Sequence, residues 1–246
     1  MTAIYLKTEE EIEGFERAGL AAREILKKLL EIARAGDCTP LDLDAIAREE
    51  TQKLGAVPAF LGYRGFPAAI CVSRGNVMVH GIPNDIPFEK GEMVSIDFGL
   101  DIDGFIGDTA DTVVVQGAAN KQIISCRGAL LYSRKLAKEG NKLSDISAKI
   151  NHIAQKFGFL TPDEYGGHGI DRHNMHATPF IPNKPDFEND FTLRAGMILA
   201  IEPMFIDAPS NKVKIATDGW AVMAGGLTAH CEHTILVGDY EGIPLT

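Results

Sequence analysis

The stretch Val94–Asp108, VSIDFGLDIDGFIGD, decides the fold. Val94, Ile96, Phe98, Leu100 and Ile102 are apolar while Ser95, Asp97, Gly99 and Asp101 are polar or small, the period-2 pattern of a half-buried strand. Asp103-Gly104 is the dipeptide of a type I′ turn, which pairs Ile102 with Phe105 and Gly99 with Asp108. Cross-strand partners share a face. Asp97 lies on that face too, so Asp97 and Asp108 are diagonal neighbours about 7 Å apart at Cα, and Gly99 leaves the space between them open. Such a pair repels unless one carboxyl keeps its proton or a cation sits nearby. The hairpin alone leaves both a cation site and a solvated sheet face open.

Upstream of this hairpin, Thr8 with Glu11 forms a capping box, and Ile12, Phe15, Ile25, Leu26, Leu29 and Leu30 keep helical spacing until Gly36. Thr39-Pro40 opens a second helix that runs through Leu43, Ile46 and Leu54 to Gly55. Strand-type runs ICVS, VMVHGI and TVVVQ flank the hairpin. The pattern then restarts: helices are expected from about Asn120 to Lys138 and from Ser144 to Phe157, followed by strands that include MILAIEPMF and AHCEHTILV. Two helices followed by strands, twice over, predict an α+β chain. Its two similar halves, residues 1–116 and 117–246 of one catalytic domain, share one antiparallel sheet with helices on one face and a crevice between them.

The 246 residues carry 24 Lys+Arg and 34 Asp+Glu, a net charge of −10 that disfavours nucleic-acid and anionic-membrane partners. No run approaches the roughly 18 apolar residues of a membrane span, and the acidic opening MTAIYLKTEEEIEGF does not read as a signal peptide, so a cytoplasmic protein is expected. Cys38, Cys71, Cys126 and Cys231 are widely spaced, which suggests free thiols rather than disulfides or a thiolate zinc site. Motifs for phosphate loops, serine hydrolases and zincins are absent.

The second half adds carboxylates in costly places. Glu202 lies inside MILAIEPMF and Glu232 inside AHCEHTILV, apolar runs where a lone carboxylate is expensive to bury. His168 is framed by glycines in GGHGID. With Asp97 and Asp108 these make five ligands, four carboxylates and one imidazole, a set suited to two divalent ions of Mn, Fe, Co or Zn.

The ordered blocks GYRGFPAAICVS, VHGIPND, IDFGLDIDGFIGDTA, GGHGI, MHATP, AIEPMF, TDGWAV and CEHTILV resemble the type I methionine aminopeptidases over essentially the whole chain. The resemblance implies the pita-bread fold, with two pseudo-symmetric halves sharing a curved sheet and helices on the outer face. It also implies a dinuclear metallo-exopeptidase that removes initiator methionine ahead of a small second residue. By position it makes Asp97, Asp108, His168, Glu202 and Glu232 the ligands of two metal ions, with Asp108 and Glu232 bridging. It makes His80 and His176 substrate-contacting catalytic histidines, Glu202 a proton shuttle, and Tyr63, Phe66, Cys71, Met175 and Trp220 the methionine pocket. The partner implied is a peptide or nascent-chain N-terminus, with ribosome association, no direct nucleic acid or membrane contact, and a monomeric enzyme. The rival readings are an Xaa-Pro peptidase of the same superfamily and a metal-free binding homologue.

One segment departs from the family. HGIDRHNMH, from His168 to His176, is one residue longer than usual, and Asp171 replaces a typical glycine. A bulge that preserves His176 is expected; the competing assignment is His173. His152, His173, His230 and His233 are read as surface or packing residues, with His233 on the face opposite Glu232.

Overall fold

The computed structural model describes residues 5–188 and 190–246; Met1–Ile4, the first residues of the acidic opening, lie outside it, as does Asn189. Among the described residues four α-helices, α1 (Glu9–Ala35), α2 (Pro40–Lys53), α3 (Lys121–Arg134) and α4 (Leu143–Phe157), accompany fourteen strands. The first five strands are β1 (Val57–Pro58), β2 (Ile70–Arg74), β3 (Val77–Val79), β4 (Met93–Ile102) and β5 (Phe105–Val114). After α4 come β6 (Gly166–Asp171), β7 (Asn174–Pro182), β8 (Ile198–Ile201), β9 (Met204–Asp207) and β10 (Lys214–Ile215). The last four are β11 (Val222–Met223), β12 (Leu227–His230), β13 (Glu232–Leu236) and β14 (Ile243–Pro244).

The main sheet runs β1-β4-β5-β13-β8-β6-β7, with β2 also on β4 and β14 on β13, and every pair in it is antiparallel. The two halves meet where β5 pairs with β13. Val94, Ile96, Phe98 and Leu100 are fully buried beneath α1 and α2 with Leu26, Leu29 and Leu43. Ile123, Ile146, Ile150, Leu199 and Ile235 build the matching core under α3 and α4. This is the two-half architecture expected from the repeat.

Thr8 closes its capping box with Glu11, and Gly36 ends α1 in the left-handed region. Thr39 caps α2 with Pro40 at the first helical position. The hairpin register is as read: Ile102 opposes Phe105, Gly99 opposes Asp108, and Asp103 and Gly104 both have positive φ, at 56° and 86°.

Several expectations need correction. α3 stops at Arg134, short of Lys138: Leu136 and Ala137 N–H bond back only three residues, to Ser133 and Arg134, and the chain then leaves outward, Glu139 N–H donating to the Gly238 carbonyl and Gly140 N–H to that of Leu193. The run VMVHGI is strand only to Val79; His80 turns the chain with φ of 60°. β4 is not half-buried, since Ser95 and Gly99 are covered on its polar face and the Ser95 hydroxyl bonds the Thr112 hydroxyl at 2.9 Å. MILAIEPMF and AHCEHTILV are each two strands. Pro203 cannot donate to a ladder, so the chain leaves β8 in the main sheet and re-enters as β9, which pairs with β12. At Cys231 it passes from β12 back into the main sheet as β13.

Candidate metal centre and substrate pocket

The strand register alone collects the five expected ligands on one face. Ala110 opposes Asp97 on one side and Glu232 on the other. Asp108 lies two residues before Ala110 and therefore shares its face. Thr234, two residues after Glu232, opposes Ala200, which opposes His168. Glu202 follows Ala200 by two. Parity and pairing thus bring Asp97, Asp108, His168, Glu202 and Glu232 together from five strands or strand ends.

Side-chain hydroxyls and amides lock this arrangement. Asp108 N–H donates to Thr234 Oγ1 at 2.8 Å, and Thr109 Oγ1 donates to the Glu232 carbonyl at 3.0 Å, fixing the seam between halves. Asn183, fully buried, donates to the Glu202 carbonyl at 3.0 Å and accepts from Met204 N–H at 2.7 Å, holding the break around Pro203. His168 Nδ1 lies 3.1 Å from the Gly169 carbonyl, which assigns the proton to Nδ1 and leaves Nε2 a free lone pair. That Nε2 is 3.9 Å from Asp108 Oδ2 and 3.8 Å from Glu202 Oε1.

The electrostatics are those of a cation site. Burial, reinforced by the neighbouring carboxylates, pushes Asp97, Asp108 and Glu232 well above the ordinary carboxylate range. Burial pushes Glu202 up to about 8. Asp97 Oδ1 and Asp108 Oδ1 are buried without any hydrogen-bond partner. Orphaned buried carboxylate oxygens are costly, and donors from Asp108, His168 and Glu232 lie within 4.8 Å of one another. Oxygen-rich donors, an imidazole whose other nitrogen donates to a backbone carbonyl, and unpartnered oxygens together fit divalent metal.

The same cluster lines a cavity of about 140 Å³ together with Tyr63, Phe66, Cys71, His80, Met175, His176 and Trp220. At roughly 30 Å³ per water this is the space of four or five waters, enough for one amino-acid side chain. Phe66 and Trp220 meet edge to face at 5.1 Å. Every pocket residue expected from sequence therefore faces one cavity. Larger grooves exist, including one of about 630 Å³ between α1 and α3. That groove lies outside the orphaned carboxylates, so size does not identify the site.

His176 stands over His168 with ring centroids 4.3 Å apart, and its Nδ1 is 2.9 Å from the Tyr63 hydroxyl. The side chain is solvent-exposed on one side, yet the wall behind it and the nearby His168 lower its pKa to about 3. His80 is likewise held neutral, lowered to about 4 by burial. The long loop contains the expected bulge: β6 and β7 slip register between Gly169 and Asp171. His173 sits at the hairpin tip, exposed, with its N–H on the Gly104 carbonyl, and does not line the cavity.

Two points differ from the sequence reading. The space beside Gly99 is not open: a Cβ there would lie 2.6 Å from the Phe60 ring, so glycine is needed to seat Phe60 at the cavity wall. His230 is neither a surface residue nor ordinary packing; it is buried with Nε2 3.2 Å from Glu202 Oε2. Phe60, Arg64 and Val79 also line the cavity and went unrecognised, since an isolated apolar or basic residue carries no sequence signal. His233 points away from the cluster as expected, with Nδ1 3.0 Å from Thr246 Oγ1.

Comparison with known proteins agrees with this geometry. The profile of metallopeptidase family M24 matches residues 13–239. The methionine aminopeptidase of Aquifex aeolicus is 40% identical, with 99% of each chain covered. That of Clostridium perfringens is 38% identical, with 95% of each covered. Among solved structures, methionine aminopeptidase from Rickettsia prowazekii superposes with a TM-score of 0.94 at 32% identity, covering 99% of this chain and 100% of that one. A prolidase from Pyrococcus furiosus shares the fold at a TM-score of 0.72 and 22% identity, and this chain spans 65% of it.

Proposed function

The chain belongs to metallopeptidase family M24, and on that footing we propose that it removes the N-terminal methionine from nascent proteins and peptides, preferring a small second residue. The observation that carries this reading is one cavity lined at once by orphaned carboxylates and by aromatic and sulfur-bearing side chains. A thioether packs well against such surfaces, which favours methionine over the prolyl substrates of more distant relatives.

In this reading Asp97, Asp108, His168, Glu202 and Glu232 would hold two divalent ions, of Co, Mn, Fe or Zn, with Asp108 and Glu232 shared between them. When bound, such ions lower the pKa of a water and polarise a carbonyl. Glu202, at the edge of the carboxylate cluster and lining the cavity, is placed to carry a proton to the departing amine. With the Tyr63 hydroxyl, 2.9 Å from His176 Nδ1, acting as donor, Nε2–H would be the donor for charge developing on the carbonyl oxygen. His80, neutral and in the cavity wall, contacts the scissile amide nitrogen. A free α-amine placed beside Asp97 restricts cleavage to the first residue.

One sheet shared by the two halves, 1–116 and 117–246, supports reading 1–246 as a single catalytic domain. Among the described residues no helix is long and apolar enough to cross a membrane. A nascent-chain substrate supports a cytoplasmic enzyme that works close to the ribosome. The test is a peptide panel with protein reconstituted in Co²⁺ or Mn²⁺: methionine should be released from Met-Ala-Ser and Met-Gly-Xaa, and Xaa-Pro peptides should be spared. Preferential cleavage of Xaa-Pro bonds would refute the substrate assignment.

A further inference from the structure

We propose that His230 is a further metal-ligating side chain, giving the Glu202 side of the centre a second imidazole; this rests on the metallopeptidase reading above. His230 is the last residue of β12, immediately before the chain crosses between sheets. Its main chain is clamped by one side chain. The N–H donates to Thr112 Oγ1 at 2.9 Å, and the carbonyl accepts from that hydroxyl at 2.7 Å.

The ring is 2% exposed, and Nε2 lies 3.2 Å from Glu202 Oε2 and 3.9 Å from Glu232 Oε2. Nε2 nonetheless makes no hydrogen bond: Glu232 Oε2 is too far and Glu202 Oε2, though near, is not aligned with it. A buried nitrogen with no partner beside two carboxylates is costly. Donor atoms of Glu202, His230 and Glu232 lie within 4.8 Å of one another, as do those of Asp108, His168 and Glu232. Glu232 is common to both groups.

Ions that take nitrogen and oxygen donors at about 2.0–2.2 Å hold adjacent donors roughly 3 to 3.5 Å apart. The separations of 3.2 and 3.9 Å around His230 need little contraction to meet that spacing. A second imidazole also predicts a preference. Imidazole suits Zn, Fe and the neighbouring later transition ions, whereas carboxylate sites suit Mn. His230 should therefore bias the centre toward Co²⁺ or Zn²⁺ over Mn²⁺.

The experiment titrates chelated wild type, His230→Gln and His230→Ala with Co²⁺ and with Mn²⁺ by calorimetry, and counts imidazoles on Zn²⁺-loaded wild type by X-ray absorption. Glutamine can still donate to Glu202 but is a poor ligand. The expected result is two coordinated imidazoles per chain, and in both variants at least a roughly 10-fold loss of Co²⁺ affinity, with a narrower Co²⁺ over Mn²⁺ preference. A single imidazole, or a glutamine variant that binds like wild type while alanine is weak, would overturn the proposal and leave His230 a positioning residue. The absorption count needs no variant to fold. A wild type that binds no metal would instead sink the metallopeptidase reading.

Discussion

Relative to a Glu202→Gln variant, the metal-free protein should lose stability as pH rises from 6.5 to 8. Glu202 has a folded pKa raised from the ordinary 4.5 to about 8. A carboxyl with a raised folded pKa contributes stability that is complete below its unfolded pKa and is lost as pH climbs through the folded one. Five histidines act in the opposite sense lower down: His80, His168, His176, His230 and His233 are all depressed from 6.5 by burial. At pH 6.5 these positions are still half protonated in the unfolded chain, so each histidine adds about 0.4 kcal/mol of stability between pH 6.5 and 8. Five together offset the Glu202 loss, and only the difference from the variant, which keeps all five, isolates the carboxyl.

At 1.36 kcal/mol per unit, the full shift of Glu202 from 4.5 to about 8 amounts to about 5 kcal/mol. The part falling between pH 6.5 and 8 is about 1.6 kcal/mol, because the group is half ionised at the upper limit. Asp97, Asp108 and Glu232, raised likewise, titrate in both proteins and largely cancel from the difference. For a chain of this size about 1.6 kcal/mol lowers the wild-type Tm relative to the variant by roughly 3–6 °C. Metal should stabilise the wild type increasingly with pH, since ligands bind as carboxylates and affinity rises with pH. Thermal melts of chelated wild type, chelated Glu202→Gln and Co²⁺-loaded wild type at half-unit pH steps read these slopes. A chelated wild type whose Tm runs parallel to the variant's across the window would refute this reasoning.

His176→Ala should lower kcat by about 100- to 1,000-fold, the usual cost of removing an oxyanion donor, with metal content unchanged, while His173→Ala should be near neutral; steady-state kinetics with metal analysis separates them. Asp97→Ala should weaken metal binding, whereas Asp101→Ala should leave it intact and act on the hairpin, because Asp101 Oδ1 accepts the Gly104 N–H at 2.7 Å. Gly99→Ala should displace Phe60, raising KM for Met-Ala-Ser more than it lowers kcat and costing about 1–3 kcal/mol by overpacking. Urea melts and kinetics on the same sample check both parts.

The first half of the site was readable because its geometry is local. A two-residue turn fixes the register of β4 on β5, and parity then places Asp97 and Asp108. Glu202 and Glu232 were readable only as carboxylates in apolar runs. Their convergence depends on β13 lying between β5 and β8, a long-range pairing that no turn announces. The break at Pro203 was visible as a residue, but its anchor, Asn183, is twenty residues upstream and carries no periodic signal. His230 was misjudged for a related reason. Strict alternation puts it on the face of Glu232, but Cys231 marks a change of sheet, so the contact with Glu202 arises from tertiary packing. Phe60 was missed because the glycine opposite Asp108 looked like empty space rather than a seat for a ring.

The central claim is that buried carboxylates of both halves form a metal centre that cleaves behind an N-terminal methionine. Methionine release from Met-Ala-Ser before chelation, after exhaustive chelation and after adding back Mn²⁺, Fe²⁺ or Co²⁺ tests it most directly. The account predicts loss of activity on chelation and recovery with added ion, saturating as the buried carboxylates fill. An enzyme that keeps full activity once its metal has been removed would contradict it.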